Sequence, residues 1–207
     1  MDRPAFFAGL ERHFDRTLAE HGASARGVDW SSEASQRTRF DQLLRIRDAP
    51  GAFSLLDYGC GYGALADHLA AIGEDFSYTG YDVSERMVAL ARERNPDPAR
   101  CTFTSREEDL TDADYVVASG VFNLRLEVDD AGWTEYVLES LDVLARRSRR
   151  GFAFNMLTSY SDPPLMREDL FYGDPAFFFD HCKRRHSRNV ALLHDYELYE
   201  FTILVRG

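Results

Sequence analysis

Cysteine is scarce in this chain. Cys60, Cys101 and Cys182 stand far apart among 207 residues. That spacing supplies neither a disulfide framework nor the C-x-x-C pairs of a metal site, and it fits a reducing compartment. Long apolar runs are missing too. Nothing approaches the roughly 20 residues a helix needs to cross a bilayer, and no basic segment followed by an apolar run opens the chain. The expectation is a cytoplasmic protein with no membrane partner. Positive charge is the third shortage, with 24 Lys and Arg against 35 Asp and Glu and a net charge of −11. Non-specific nucleic-acid binding needs the opposite balance, so no nucleic-acid partner is expected. The one basic run, Arg146-Arg147-Ser148-Arg149-Arg150, reads as the solvated C-terminal end of a helix. Repeats, low-complexity tracts and long linkers are also lacking. Residues 1–207 therefore read as one domain, with 1–50 a helical cap and 51–207 the core.

Apolar residues make up 44% of the sequence and aromatics 13%, enough for one sizeable core. Phe6, Phe7, Leu10, Phe14 and Leu18 recur at helical spacing and predict a helix over 4–21 that Gly22 stops. Phe40, Leu43 and Leu44 predict a second over 35–46. From residue 53 onward, strand-like and helix-like stretches alternate. Strands are predicted over 53–58, 76–81, 101–104 and 115–118, with a fifth carrying Phe152, Phe154 and Met156. Helices are predicted over 64–72, after the cap residue Ser84, and along the stripe Trp133, Val137, Leu138, Leu141 and Leu144. Asp174-Pro175 starts a further helix. Runs 190–193 and 199–205, joined by a short polar link, read as an antiparallel hairpin. The fold predicted is α/β: a doubly wound, mostly parallel seven-stranded sheet with helices on both faces, an antiparallel last strand and an N-terminal helical cap.

The segment Asp57-Tyr58-Gly59-Cys60-Gly61-Tyr62-Gly63 falls between the first strand and the first helix of the alternating unit. Ligands of open parallel sheets bind at such a turn, beyond the carboxyl ends of the strands. Its spacing, G-x-G-x-G, differs from the G-x-G-x-x-G that receives a dinucleotide pyrophosphate. Asp57, two residues before the first glycine, would repel a pyrophosphate and suits a ligand with a positive end. Asp82, at the tip of the second strand, is placed to accept hydrogen bonds from both hydroxyls of an adenosine ribose.

These two segments, 55–63 and 79–87, resemble the first and second motifs of class I S-adenosylmethionine-dependent methyltransferases. The likeness covers 55–207, and the stretch 151–207 is similar to bacterial members. It implies S-adenosylmethionine as cofactor and a methyl acceptor as partner. It places Gly59, Cys60 and Gly61 beneath the methionine and ribose portions, Asp57 toward the methionine amino group, Asp82 on the ribose, and Val83 and Met87 by the adenine. It puts an acid after the third strand on the adenine amino group, with Glu107, Glu108 and Asp109 as candidates, Glu108 and Asp109 foremost. It brings Ser119 to the methionine end. A cap of N-terminal helices would set Arg39 against the methionine carboxylate as a bidentate partner and Trp30 in the wall of the substrate pocket, joined by Asn155 and His181.

Methyl transfer from a sulfonium mainly needs alignment and exclusion of water, and a base only where the nucleophile must lose a proton. His194, Tyr160 and Asn123 are the candidates for such a catalytic role. No cluster with metal-ligand spacing stands out, so no metal is expected. Members that methylate the amino groups of adenine or glutamine carry [DN]-P-P-[YFW] after the fourth strand; this chain has Val121-Phe122-Asn123-Leu124 there. Asp162-Pro163-Pro164-Leu165 follows the fifth strand and lacks the aromatic. The aromatic-rich stretch 162–179 reads as a lid suited to a small organic acceptor methylated on oxygen or nitrogen. The alternatives are methylation of a protein or RNA, a non-catalytic cofactor-binding subunit, and a nicotinamide-dependent oxidoreductase.

Overall fold

The computed structural model describes residues 3–28, 30 and 32–207. Its elements are α1 (Arg3–His21), α2 (Glu33–Leu44), β1 (Phe53–Tyr58), α3 (Ala64–Ala71), β2 (Phe76–Tyr81), α4 (Glu85–Arg94), β3 (Cys101–Thr104), β4 (Ala113–Ala118), α5 (Asp130–Arg147), β5 (Ser148–Leu157), α6 (Pro175–Arg185), β6 (Asn189–Leu193) and β7 (Glu200–Arg206). The strands form one seven-stranded sheet in the order β3-β2-β1-β4-β5-β7-β6. Pairing is parallel from β3 through to β5, and β7 runs antiparallel between β5 and β6. The doubly wound sheet and its closing hairpin are as the sequence predicts.

The period-two alternation of strand side chains sends each strand into two layers. Leu56, Val116, Phe152, Phe154 and Ile203 pack with Trp133, Val137 and Leu141 of α5 and Phe178 of α6. Leu55, Tyr115, Val117, Ala153 and Leu204 pack on the other face with Phe40 and Leu43 of α2, Leu65 and Leu69 of α3, and Val88 and Ala91 of α4. Between β3 and β4 the described chain makes only a short 3-10 turn, Glu107–Asp109. On that face α1 meets α5 instead, with the Phe6 ring edge-on to Trp133 at 5.0 Å.

Helix starts follow their caps. Ser84 accepts from the Met87 N–H, Asp129 from the Gly132 N–H, and Asp174 from the N–H groups of Ala176 and Phe177. Ser32 accepts from the Ser35 N–H, so α2 starts two residues before the predicted 35 and stops at Leu44. The basic run is not all helix end. α5 closes at Arg147, and Ser148 to Arg150 open β5. There Arg150 pairs with Asp48 and covers the Tyr115 ring at 4.9 Å. No helix among the described residues is long and apolar enough to cross a membrane.

His181 and His186, at the end of α6, hold buried Nε2 atoms without a hydrogen-bond partner. Burial lowers the pKa of both rings, with Asp142 of α5 opposing it. The unfolded chain therefore takes up protons that the native rings refuse once pH drops below about 6.5. Between about pH 8 and 5.5, H186F is therefore expected to lose less thermal stability than the wild type as pH is lowered. An identical pH dependence of the two midpoints would contradict this.

Candidate functional site

The carboxyl ends of β1, β2 and β4 meet the start of β7 along one edge of the sheet. A cavity of about 290 Å³ opens there. Its floor is the turn after β1. The N–H groups of Gly59 and Cys60 both donate to the Tyr81 carbonyl, at 2.7 and 2.8 Å. Gly59 sits at φ +82°, and a Cβ on it would lie 2.4 Å from the Val121 side chain. Only glycine satisfies both constraints. Beyond β2, Asp82 reaches back over this floor: Oδ2 accepts from the Gly61 N–H at 2.9 Å and Oδ1 from the Ser84 N–H at 3.0 Å. One carboxylate thus locks the glycine turn to the next strand tip and starts α4.

Asp57, 2% exposed, is the second acid. Its Oδ2 accepts from the Tyr78 hydroxyl at 2.6 Å, and its Oδ1 has no partner. Burial raises the carboxyl to about 7; the Tyr78 bond opposes the rise and nearby Asp82 adds to it. Burial likewise raises Asp82 to about 6, against the pull of its two backbone N–H donors. Both acids line a mostly apolar space, where a cation or hydroxyl donors would stabilise their charged forms. Cys60, between them, is a buried thiol pushed well up by burial and then by the two carboxylates, which leaves it no nucleophilic character.

A chain of buried polar groups closes the opposite wall. Arg39 of α2 donates through Nε to both Glu200 oxygens, at 2.9 and 2.8 Å. The Asn155 amide donates to Glu200 at 2.6 Å, and its carbonyl accepts from the Gly120 N–H at 2.7 Å. The Arg39 guanidinium stacks 4.0 Å from the Trp30 ring centre. That ring lies so close over Gly120 that a Cβ there would meet it at 2.4 Å. Arg39 Nη1 and Ser119 Oγ, like Asp57 Oδ1, are buried without partners, and all three residues line the cavity.

Of the residues singled out from the sequence, Trp30, Arg39, Asp57, Gly59, Cys60, Gly61, Asp82, Val83, Met87, Ser119 and Asn123 line this cavity. Asn123 is engaged structurally, its side-chain oxygen accepting from the Leu157 N–H at 3.0 Å. Asn155 stands behind the wall. The structure does not bring the others in. Glu108 and Asp109 turn out to solvent, both paired with Arg106. Tyr160 is 73% exposed and faces His194 on the surface, rings 6.0 Å apart. His181 lies at α6 beside His186. The roof also differs from the predicted lid. Stretch 162–179 contributes Arg167 and Leu170, whereas α1 contributes Phe6, Phe7, Leu10 and Phe14. Glu200 and Tyr78 escaped the sequence reading. A charged residue opening the apolar run of β7 was the available sign of Glu200; Tyr78 looks like any core aromatic.

A doubly wound sheet with a reversed strand beside its last, and an acid–glycine turn below a second strand-tip acid, defines the Rossmann-like methyltransferases. A family profile described as a methyltransferase domain matches residues 56–144. A Mycobacterium tuberculosis protein that carries a methyltransferase name, Rv1506c, is 54% identical over 163 residues, covering 79% of this chain and 98% of its own. Human N-acetylserotonin methyltransferase, solved with S-adenosylmethionine, superposes with a TM-score of 0.69 at 14% identity over 98% of this chain and 59% of its own. The N-methyltransferase NodS of Bradyrhizobium japonicum, solved with S-adenosylhomocysteine, gives 0.64 at 17% identity over 95% and 97%. The chain belongs to the class I S-adenosylmethionine-dependent methyltransferase family. It is an enzyme that uses S-adenosylmethionine and acts on a methyl acceptor.

Glu200→Leu leaves the buried Arg39 guanidinium without its counter-charge and is expected to cost about 3–5 kcal/mol of stability. The double variant R39M/E200L is expected to recover most of that in urea denaturation. Equal losses in single and double variants would show that the pair is not the reason.

Proposed function

We propose that this enzyme methylates an oxygen or nitrogen of a small organic acceptor, and that the described cavity holds its cofactor. The observation that carries the cofactor reading is the set of three unpartnered buried atoms. A carboxylate oxygen, a guanidinium nitrogen and a hydroxyl facing one space match the ammonium and carboxylate of an amino acid. Buried polar groups of this kind are normally satisfied. In this reading Asp57 Oδ1 accepts from the cofactor's ammonium and Arg39 Nη1 donates to its carboxylate, with Ser119 beside them. Asp82 takes the ribose hydroxyls on the lone pairs its two backbone donors leave free. Val83 and Met87 flank the base, and Gly59 and Gly61 let the chain pass beneath.

When bound, S-adenosylmethionine supplies an electrophilic methyl carbon. The chain's own part is to hold and enclose. α1 and Trp30 exclude water, and the Arg39–Glu200–Asn155 chain fixes the wall at Gly120. His194 and Tyr160 lie together at the surface and not among the described residues that line the cavity, so this reading rests on alignment and not on that pair. The roof of aromatic side chains over a small cavity and the net charge of −11 both favour a compact acceptor over a strand of RNA.

Calorimetry with S-adenosylhomocysteine tests the cofactor site: D57N is expected to bind about 10–100-fold more weakly, the value of one charge-assisted bond. Labelled methyl transfer, offered to small phenols, carboxylates and amines beside total RNA and protein, tests the acceptor. Label confined to RNA or protein would reject the small-molecule reading.

A further inference from the structure

We propose that Tyr78 is a positioning residue for cofactor binding: its buried hydroxyl fixes one oxygen of Asp57 and keeps the other charged and turned to the cofactor's ammonium. The inference rests on the role given to Asp57 above and goes beyond it by assigning the residue that makes that role workable near neutral pH.

The geometry is specific. On β1 and β2, Leu55 pairs with Tyr78 and Asp57 with Gly80. Side chains at 78 and 80 share a face, and Gly80 has none. A Cβ there would strike Phe103 at 2.5 Å and Cys60 Sγ at 2.8 Å. The phenol of Tyr78 runs diagonally to Asp57, while Phe103 and Cys60 fill the space that residue 80 leaves. Its ring is held by Phe76 and Phe103, at centroid distances of 6.4 and 5.6 Å, and is 2% exposed. The hydroxyl reaches Asp57 Oδ2 at 2.6 Å. A core aromatic needs no hydroxyl, and burying one is costly without a partner. Here the partner is the acid whose other oxygen lines the cavity unpaired.

The groups around Asp57 explain why a donor is needed. Asp82 from beyond β2 and Cys60 in the turn give no positive charge. Cys101 of β3 lies behind the phenol. Of the described arginines lining the cavity, Arg39 of α2 is neutralised by Glu200 of β7 and Arg167 pairs with Asp169. Burial and Asp82 push Asp57 toward its protonated form, and only the Tyr78 bond opposes them. Below about pH 7 the free enzyme holds a proton on Asp57, which an incoming ammonium must displace. Affinity for an ammonium-bearing ligand then falls as pH drops, and binding releases protons. Loss of the phenol donor raises the carboxyl further and moves that window upward.

The test is calorimetry of S-adenosylhomocysteine binding between pH 6 and 8.5 in buffers of different ionisation enthalpy, with 5′-methylthioadenosine, which lacks the amino-acid portion, as the control ligand. Y78F is expected to bind S-adenosylhomocysteine about tenfold or more weakly at pH 7, with its affinity midpoint about one to two pH units higher and more protons released. Binding of 5′-methylthioadenosine is expected to stay within about twofold of wild type. Y78M, which also lacks the donor, replaces Y78F if the latter does not fold. An unchanged midpoint and proton count, or equal loss of both ligands, would overturn the proposal. D57N binding S-adenosylhomocysteine like wild type would overturn the underlying role of Asp57 instead.

Discussion

A guanidinium on α2 and a carboxylate 161 positions later hold each other inside the protein. The pair depends on the reversal of β7. Because that strand runs against its neighbours, its first residue, Glu200, arrives where β1, β2 and β4 end, rather than at the far side of the sheet. Asn155 extends the contact from β5 to the Gly120 backbone, and Trp30 is pressed between Gly120 and Arg39. The helical segment before the sheet is thereby tied to its last strand across the cavity mouth. Two desolvated charges in such a place seldom add stability over an apolar pair. Their value here is geometric, since they tie α2 to β7 beside the cavity and leave one guanidinium nitrogen without a partner.

The second organising contact is the clamp between adjacent strand tips. Tyr81 supplies a carbonyl to two N–H groups of the glycine turn, and Asp82 takes a third N–H from the same turn. A flexible sequence is thus made rigid by its neighbour. Asp57 enters from below with one oxygen committed to Tyr78 and one open. The two buried acids differ in their donors: backbone N–H groups for Asp82, a phenol for Asp57.

Much of this was legible before any coordinates. Strand edges at 53–58, 76–81 and 101–104 follow from apolar runs bounded by turns, and the caps Ser84 and Asp174 announce their helices. Asp57, Gly59, Gly61 and Asp82 are legible as residues of the strand-end cavity, because the first turn of the alternating unit and the next strand tip fix where they lie. What the sequence concealed depends on distant pairing. Glu200 is one charged residue near the start of the strand-like run 199–205 until the register of β7 is known. Tyr78 has the composition of a core residue, and its hydroxyl acquires meaning only from the β1–β2 register that brings it to Asp57. Glu108 and Asp109 were drawn in by analogy, but Arg106 beside them offers a nearer partner on the surface. The aromatic stretch 162–179 suggested a lid by composition alone, whereas the place for one is filled by α1, in the gap left where β3 and β4 are joined by a single turn.

The thiol in the floor of the cavity has a consequence for chemical durability. Cys60, Cys101 and Cys182 are all buried and free, and burial shifts each toward its neutral form. Electrophiles and peroxides attack thiolates. A cavity floor built around a buried, neutral sulfur offers alkylating and oxidising reagents little thiolate to attack.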